Sequence, residues 1–128
     1  MREIKFRGKD IKNNKWRYGD FIRYSEVKST IIENLLDTKE WYDVDSKTLG
    51  QYTGLKDKNE KEIYEGDIVK TVCKGEKDIG KVIYEYNGFT IDVMNMNRYY
   101  GRVHLLESFV EVIGNIHDNP ELLEVQDE

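Results

Sequence analysis

The sequence has one cysteine, one proline and no long apolar run. A single cysteine, Cys73, excludes an internal disulfide framework and indicates a reducing compartment. No stretch approaches the roughly 20 apolar residues of a membrane helix, and the start of the chain lacks the apolar core of a signal peptide. We therefore expect a cytoplasmic protein with no membrane partner.

The sequence also lacks the motifs of the common enzyme classes. It contains neither a Gly-x-Ser-x-Gly nucleophile elbow nor a Gly-x-x-x-x-Gly-Lys-Ser/Thr phosphate loop. His104 and His117 lie far apart, and neither has a cysteine or second histidine at a ligand spacing, which argues against zinc. Cys73 is interpreted as a small buried strand residue rather than a nucleophile. We expect no enzyme activity, catalytic residue, cofactor or metal; the alternative is an enzyme whose site is assembled from loops or between subunits.

Acidic residues crowd into residues 57–67, where such a group could bind a divalent cation through oxygen ligands. Their spacing does not match an EF-hand loop, and lysines interleave with them. A solvated turn with local ion pairs is the better interpretation. The acidic residues are Asp57, Glu60, Glu62, Glu65 and Asp67.

The chain is rich in charge, which is unevenly distributed along its 128 residues. Residues 1–30 carry nine Lys or Arg and four acids, whereas residues 104–128 carry seven acids and no Lys or Arg. This asymmetry could bring the termini together, guide a head-to-tail contact between subunits, or leave a basic face and an acidic tail. The length fits one domain, and nine tyrosines, four phenylalanines and two tryptophans supply an aromatic-rich core.

The first half of the chain reads as β-strands. Ile4 and Phe6 alternate with charged residues, and residues 16–24 are again aromatic after a polar turn, which predicts a hairpin with a bend at Gly19. Residues 25–43 are variable: residues 30–32 favour a strand, and residues 33–37 favour a loop or one helical turn. Another short strand is predicted at residues 41–44, followed by a side-chain-capped turn at residues 45–48.

The second half predicts further antiparallel strands. Residues 67–74 and 80–86 are predicted to pair through a turn at residues 75–78. Asn87-Gly88 predicts a type I′ hairpin, with residues 89–94 as the returning strand. Residues 94–101 are interpreted as a connection that presents a surface. Further extended segments are predicted at residues 103–109 and 110–116 with a bend at Gly114, and a helical turn at Pro120.

These elements predict a mainly β protein, with antiparallel sheets forming a small SH3-like barrel, an N-terminal hairpin and one or two short helical turns. We expect a single domain over residues 1–128. Its predicted parts are an N-terminal hairpin and variable segment at 1–44, a turn-rich motif at 45–66, a barrel-like sheet at 67–123 and an acidic tail at 124–128.

Glycines punctuate the turn-rich motif beside aromatic and aliphatic residues. We expect Gly50, Gly54 and Gly66 to occupy tight or positive-φ positions. Packed side chains are predicted beneath them, at Tyr52, Leu55, Ile63 and Tyr64. The residues assigned to the structural motif are Gly50, Gln51, Tyr52, Thr53, Gly54, Leu55, Asp57, Tyr64, Glu65, Gly66 and Asp67.

Five blocks of the sequence, in this order, resemble the YopX family. They are Ile-Lys-Phe-Arg-Gly-Lys from residue 4, Trp-Arg-Tyr-Gly-Asp from residue 16, Thr-Leu-Gly-Gln-Tyr-Thr-Gly-Leu-Lys-Asp from residue 48, Ile-Tyr-Glu-Gly-Asp-Ile-Val from residue 63, and Val-Ile-Gly-Asn-Ile-His from residue 112 with Pro-Glu-Leu-Leu from residue 120. The resemblance implies a β-rich bacteriophage or prophage protein of the bacterial host cytoplasm that assembles with copies of itself and carries no catalytic residues. It also places any specialised binding in residues 25–43 and 95–101.

We therefore expect a non-enzymatic, oligomeric structural or adaptor protein that acts on a host or phage protein. The less favoured alternative is a nucleic-acid-binding small β-barrel that uses the basic N-terminal hairpin, with Trp16 or Tyr18 stacking on bases. A sequence pI near 5.2 argues against this alternative, and the basic residues also fit a plain solvated face. The candidate contact residues are Arg2, Lys5, Arg7, Lys9, Lys12, Lys15, Trp16 and Arg17.

Overall fold

The computed structural model describes residues 4–23, 25–26, 28–33, 40–73, 76–85, 88–95, 99–104 and 110–123. The strands are β1 Phe6–Lys9, β2 Trp16–Arg23, β3 Lys28–Glu33, β4 Glu40–Asp45, β5 Gly50–Lys56, β6 Glu62–Tyr64, β7 Asp67–Cys73, β8 Glu76–Glu85, β9 Gly88–Asn95, β10 Tyr99–His104 and β11 Val110–Asn115. Short 3₁₀-helices span Ser46–Thr48 and Pro120–Leu123.

The strands form two antiparallel sheets, which confirms the predicted β class. The order is β4-β3-β2-β1-β5-β6 in the 6-stranded sheet and β10-β9-β8-β7-β11 in the 5-stranded sheet. Within the described strands, neither sheet closes into a barrel. The chain divides into two compact units, Met1–Gly54 and Leu55–Glu128.

The N-terminal unit is built on the predicted β1–β2 hairpin. β1 pairs with β2 on one side and with β5 on the other, and β3 joins β2 to β4. Ile31 and Val44 are fully buried, and the rings of Phe6 and Phe21 pack edge to face at 4.5 Å between centroids. Val44 packs closely against the backbone of β1 at Gly8. A Cβ at Gly8 would lie 2.8 Å from the Val44 side chain, so glycine allows this contact.

β2 passes from one partner strand to the next at Gly19, where the sequence predicts a bend. Residues up to Gly19 pair with β1, and residues from Asp20 pair with β3. Gly19 has φ +153° and lies so close to Ile32 that an added Cβ would clash with its carbonyl oxygen. Glycine is required there because any other side chain collides with the neighbouring backbone.

The C-terminal unit is a meander of antiparallel strands around its own core. β7 pairs with β8 and β11, and β9 pairs with β8 and β10. Its buried cluster consists of Ile63, Val69, Val82, Ile91 and Val110. Leu55, Phe89 and Val112 pack partly buried against this cluster. The apolar positions of the predicted strands therefore converge in one place, as their period-2 spacing indicates.

The strands predicted at residues 30–32 and 41–44 are confirmed as parts of β3 and β4. Glu33, predicted to begin a loop or helical turn over residues 33–37, is instead the last residue of β3, and residues 34–39 lie outside the described residues. Asp45 caps the 3₁₀-helix Ser46–Thr48 by accepting from the Lys47 amide, as predicted. The register of β11 against β7 shifts between Val112 and Gly114, and the predicted turn at Pro120 is the 3₁₀-helix Pro120–Leu123.

Three predictions in the second half are wrong in position. Residues 76–78, predicted to lie in a turn, belong to β8, and residue 75 lies outside the described residues. Gly88, predicted to lie in a type I′ turn with Asn87, pairs with Glu85 as the first residue of β9, and residues 86–87 lie outside the described residues. Tyr99–His104 is a strand paired with β9, not part of a connection over residues 94–101. Strand pairing extends further than local turn chemistry indicates.

Candidate functional site

The turn-rich motif holds its shape through the buried carboxylate of Asp57, which is 6% exposed. One carboxylate oxygen accepts from the backbone amides of Asn59 and Lys61 at 2.8 and 2.9 Å. The other oxygen accepts from the Val112 amide at 2.9 Å. The side chain thus closes the turn after β5 and ties it to β11, 55 residues away.

Burial acts to raise the pKa of Asp57, because a charged carboxylate is poorly solvated there. The amides of Val112, Lys61 and Asn59 and the charge of Lys61 outweigh burial, so the pKa lies below its usual value. Asp57 therefore stays ionised as a structural acceptor. It is not tuned for acid or base catalysis at neutral pH.

The predicted positive φ is found at Gly54 and Gly66, at +88° and +94°. The Gly66 amide donates to the carbonyl of Val82, and its carbonyl accepts from Ile116, both at 2.9 Å. Gly50 instead pairs opposite Arg7 and is buried in β5. The side chains predicted to pack around these positions are partly or fully buried: Tyr52, Leu55, Ile63 and Tyr64.

Two acidic side chains of this region accept hydrogen bonds from Tyr64. Asp67 is buried and accepts from the Tyr64 amide at 2.7 Å, and Glu62 accepts from the Tyr64 hydroxyl at 3.0 Å. Glu60, with φ +68°, is exposed in the turn. No group of three or more potential metal-ligating side chains occurs among the described residues. The Asp67 and Glu62 carboxylates thus act as acceptors for nearby donors of Tyr64.

The remaining candidate residues of the motif lie in β5 or beside Gly66. Gln51 pairs opposite Phe6, Thr53 is buried, and Glu65 is partly exposed. The side chain of Cys73 and that of His104 are outside the described residues, and the His117 amide donates to Asn115 Oδ1 at 3.0 Å.

The basic residues of the N-terminal hairpin are divided between two faces of the sheet. Lys9 lies opposite Trp16, and Arg7 lies opposite Tyr18, so these four residues share one face. Lys5 belongs to the same face by the period of two along the chain. We call this set, Lys5, Arg7, Lys9, Trp16 and Tyr18, the aromatic–basic face.

Cation–π contacts order the aromatic–basic face. The Arg7 guanidinium lies 4.5 Å from the centroid of the Trp16 ring, and Lys9 Nζ lies 5.7 Å from the same ring. Lys5 Nζ lies 5.4 Å from the Tyr52 ring. Arg7 is only 6% exposed, whereas Tyr18 is 41% exposed. Arg7 thus supports Trp16 from within the protein, and Tyr18 presents its ring to solvent.

The Arg17 side chain points to the opposite face of the sheet, where it contacts Asp10 and Tyr42. Its Nε donates to Asp10 Oδ2 at 3.0 Å, and its guanidinium stacks on the Tyr42 ring at 3.8 Å. The Lys12 amide, followed by the hydrogen bond and charge of Arg17, outweighs burial and lowers the pKa of Asp10. Burial, followed by the hydrogen bond to Glu40 and its charge, raises the pKa of Tyr42. This cluster joins β2, β4 and the turn that begins at Asp10, and it is structural.

The other predicted contact residues are not part of the aromatic–basic face. Lys12 and Lys15 are exposed in the turn between β1 and β2, where Asn14 has φ +61°. Arg2 lies outside the described residues. Of the eight candidates, the structure therefore groups Lys5, Arg7, Lys9 and Trp16, and sequence alternation alone could have separated them from Arg17.

A second surface feature, which sequence reasoning missed, is a pair of exposed apolar residues on the face that carries Trp16. Ile22 lies on this face by alternation along β2, and Trp41 lies there because it pairs with Ile32, which pairs with Asp20. They are 41% and 54% exposed. An aromatic residue in a strand pattern predicts core packing, so Trp41 gave no sequence signal of exposure.

No helix in the described part of the chain has the length and apolarity needed to cross a bilayer.

The fold and its turn-rich motif define a class: a two-sheet antiparallel β protein in which the buried carboxylates of Asp57 and Asp67 accept hydrogen bonds from backbone amides. Residues 5–124 match the family described as YopX protein, and the chain belongs to this family. No match is found among curated proteins. The solved crystal structure of protein EF1440 from Enterococcus faecalis is similar, with a TM-score of 0.58 and 25% sequence identity over 97% of this chain and 100% of that chain.

Proposed function

We propose that this YopX-family chain is a non-enzymatic structural or adaptor protein that works as a homo-oligomer. The observation that carries the proposal is the exposure of Ile22 and Trp41 on one sheet face. Large apolar side chains grouped on one face are typical of a protein interface. The family resemblance supports a phage or prophage origin, action in the bacterial cytoplasm and a host or phage protein as a further partner.

For the β4 end of its sheet, the proposal places the contact on the sheet face rather than on the strand edge. β4 is an outer strand, but the Ile11 amide already donates to the Asp43 carbonyl at 3.0 Å, and Asp10 bridges to Val44. In an antiparallel pair of two β4 strands with Glu40 opposite Asp45 of the second copy, the like charges would be destabilising. The acidic edge of β4 is therefore a poor pairing surface, and the proposal uses the face that carries Trp41.

The non-enzymatic part of the proposal is supported by how the buried acids are used. Asp57 and Asp67 both accept hydrogen bonds from backbone amides, and Asp10 pairs with Arg17. A catalytic carboxylate must instead face substrate with a pKa near the working pH. The lowered pKa of Asp57 and Asp10 fits structural acceptors.

Size exclusion coupled to light scattering tests the oligomer. We expect a mass that is a multiple of the 15.2 kDa chain at micromolar concentration, and we expect Ile22→Ser combined with Trp41→Ser to shift it to the monomer. The matched control is Tyr84→Ser, which removes another exposed ring, 53% exposed in the C-terminal unit. A strictly monomeric wild-type protein, or an oligomer unchanged by the double substitution, contradicts the proposal.

Nucleic-acid binding by the N-terminal hairpin is the second candidate function. The observation that favours it is the register that brings Lys5, Arg7 and Lys9 to the face of Trp16. Titration with single- and double-stranded DNA at two salt concentrations tests it, because binding through phosphates weakens as salt rises. Absence of binding at low salt removes this candidate.

A further inference from the structure

We infer that the aromatic–basic face binds single-stranded nucleic acid, with bases stacking on Tyr18 and Trp16 and phosphates lying near Lys5 and Lys9. The inference rests on nucleic-acid binding, the second candidate function, and names its substrate class. It joins two requirements of single-strand binding on one surface: aromatic rings that stack on bases, and cations that follow the backbone.

The first step of the argument is the placement of the rings. Trp16 and Tyr18 are two residues apart in β2, so their side chains lie on the same face at neighbouring positions. Tyr18 is 41% exposed, and Trp16 is partly exposed. Rings on a rigid strand keep their orientation, so little conformational entropy is lost when a base stacks on them.

The second step is the rigidity of Trp16. The buried guanidinium of Arg7 lies 4.5 Å from its ring centroid and holds the indole in one orientation. Arg7 is therefore a positioning residue. The cations with exposed side-chain surface are Lys5 and Lys9, which flank Arg7 in sequence at a spacing of two and line the same face.

The third step excludes duplex DNA as the preferred substrate. Paired bases are stacked within the helix and do not offer their faces to Tyr18 or Trp16, so a duplex gains only the phosphate contacts. The exposed carboxylate of Asp20 lies next along the same face of β2. It disfavours phosphates beyond Tyr18 and confines the strand to the β1–β2 hairpin.

Fluorescence anisotropy with a labelled oligothymidylate of about 16 nucleotides measures the affinity of the protein for single-stranded DNA. An oligouridylate of the same length separates RNA from DNA, and a duplex of that length is the comparison. We expect single strands to bind at least about fivefold tighter than the duplex, since stacking contributes roughly 1–3 kcal/mol per base. If single strands and the duplex bind with equal affinity, the inference of single-strand binding is wrong, although nucleic-acid binding as such is supported. If neither binds at low salt, nucleic-acid binding and the single-strand inference are both wrong.

Variants with matched charge locate the site. Lys5→Gln combined with Lys9→Gln should reduce the slope of log affinity against log salt by about 1.4, the value for two lost phosphate contacts to a single strand. Lys12→Gln combined with Lys15→Gln removes the same charge from the adjacent turn and should leave the slope nearly unchanged. Equal effects of the two pairs would show that net charge alone governs binding, against the inference.

Substitution of Tyr18 tests stacking separately from charge. Tyr18→Leu should weaken oligothymidylate binding about fivefold or more and leave duplex binding unchanged, and Tyr18→Phe should retain single-strand affinity. Circular dichroism verifies that each variant is folded. In Trp41→Phe, which leaves Trp16 as the only tryptophan, single strands should quench the remaining fluorescence. Unquenched fluorescence together with wild-type affinity in Tyr18→Leu refutes stacking at this face.

Discussion

At the scale of single residues, Asp57 shows how one buried side chain can hold a turn and join it to a distant strand. Its two oxygens accept from three backbone amides, two within the turn and one from β11. An unpaired amide in such a buried place costs about 1–3 kcal/mol. The carboxylate therefore matters through the donors it satisfies rather than through charge pairing, and its removal should affect the strand that it joins to the turn.

Asp57→Asn should destabilise the C-terminal unit by about 2 kcal/mol. The amide can still accept from Asn59 and Lys61 through its oxygen, but its NH₂ group then faces the Val112 amide, donor against donor. Urea denaturation followed by circular dichroism measures the loss. Glu60→Gln, an exposed acid in the same turn, removes the same charge and should leave stability nearly unchanged. Equal stability of Asp57→Asn and the wild type would contradict the structural role.

The pH dependence follows from the same bonds. Because the folded pKa of Asp57 lies below its usual value of 3.8, its stabilisation is complete well above that pH and is lost as pH falls through the folded pKa. Wild type and Asp57→Asn should therefore converge in stability as the pH falls below about 4. A constant difference between them down to strongly acidic pH would show that the charge is not involved.

At the scale of elements, β2 illustrates how one strand serves two purposes. Trp16 and Tyr18 lie on the aromatic–basic face, while Arg17 and Phe21 point to the other side, toward Tyr42 and Phe6. Gly19 lets the strand change partners without a clash. Some basic side chains of the hairpin, such as Lys9, are therefore partly exposed to solvent, whereas Arg17 stabilises contacts within the protein.

Asp10→Asn should loosen the β1–β2 turn and the contact of that turn with β4. Asp10 accepts from the Lys12 amide at 2.9 Å and pairs with Arg17, so the substitution should cost about 1–2 kcal/mol. Hydrogen exchange should show faster exchange of the amides of Ile11 and Asn14, which donate to Asp43 and Asp10. Asp20→Asn, on an exposed residue of β2, is the control. Unchanged protection at Ile11 would show that Asp10 does not hold this turn.

Elements with local signals could be predicted from the sequence, and contacts between distant strands could not. Period-2 alternation identifies β1 and β2, and Gly54 and Gly66 carry a recognisable demand for positive φ. Gly88 lies in β9 rather than in the predicted turn because it pairs with Glu85. Such pairing is set by packing along the whole strand rather than by two turn residues.

The candidate site shows the same division. Counting charges grouped Arg17 with the contact residues, whereas its side chain contacts Asp10, in the turn after β1, and Tyr42, in β4. The exposure of Trp41 had no sequence signal at all, because strand aromatics are usually packed in a core. Placing a side chain inside or outside requires knowing which strands flank it.

At the scale of the whole molecule, each of the two compact units has a buried cluster of its own. Ile31 and Val44 are fully buried in Met1–Gly54, and the cluster around Ile63 lies in Leu55–Glu128. Both tryptophans, Trp16 and Trp41, belong to the first unit. Tryptophan fluorescence therefore reports one unit, whereas circular dichroism reports the strands of both.

This difference between probes predicts how the chain unfolds. In urea, Asp57→Asn should move part of the circular dichroism transition to lower concentration and leave the fluorescence midpoint unchanged, because Asp57 bonds only within its own unit in the contacts described above. Asp10→Asn should do the reverse and lower the fluorescence midpoint. If both variants shift both probes equally, the units unfold as one cooperative block. Separate transitions would mean that the hairpin carrying the aromatic–basic face can lose its structure while the C-terminal sheet remains folded.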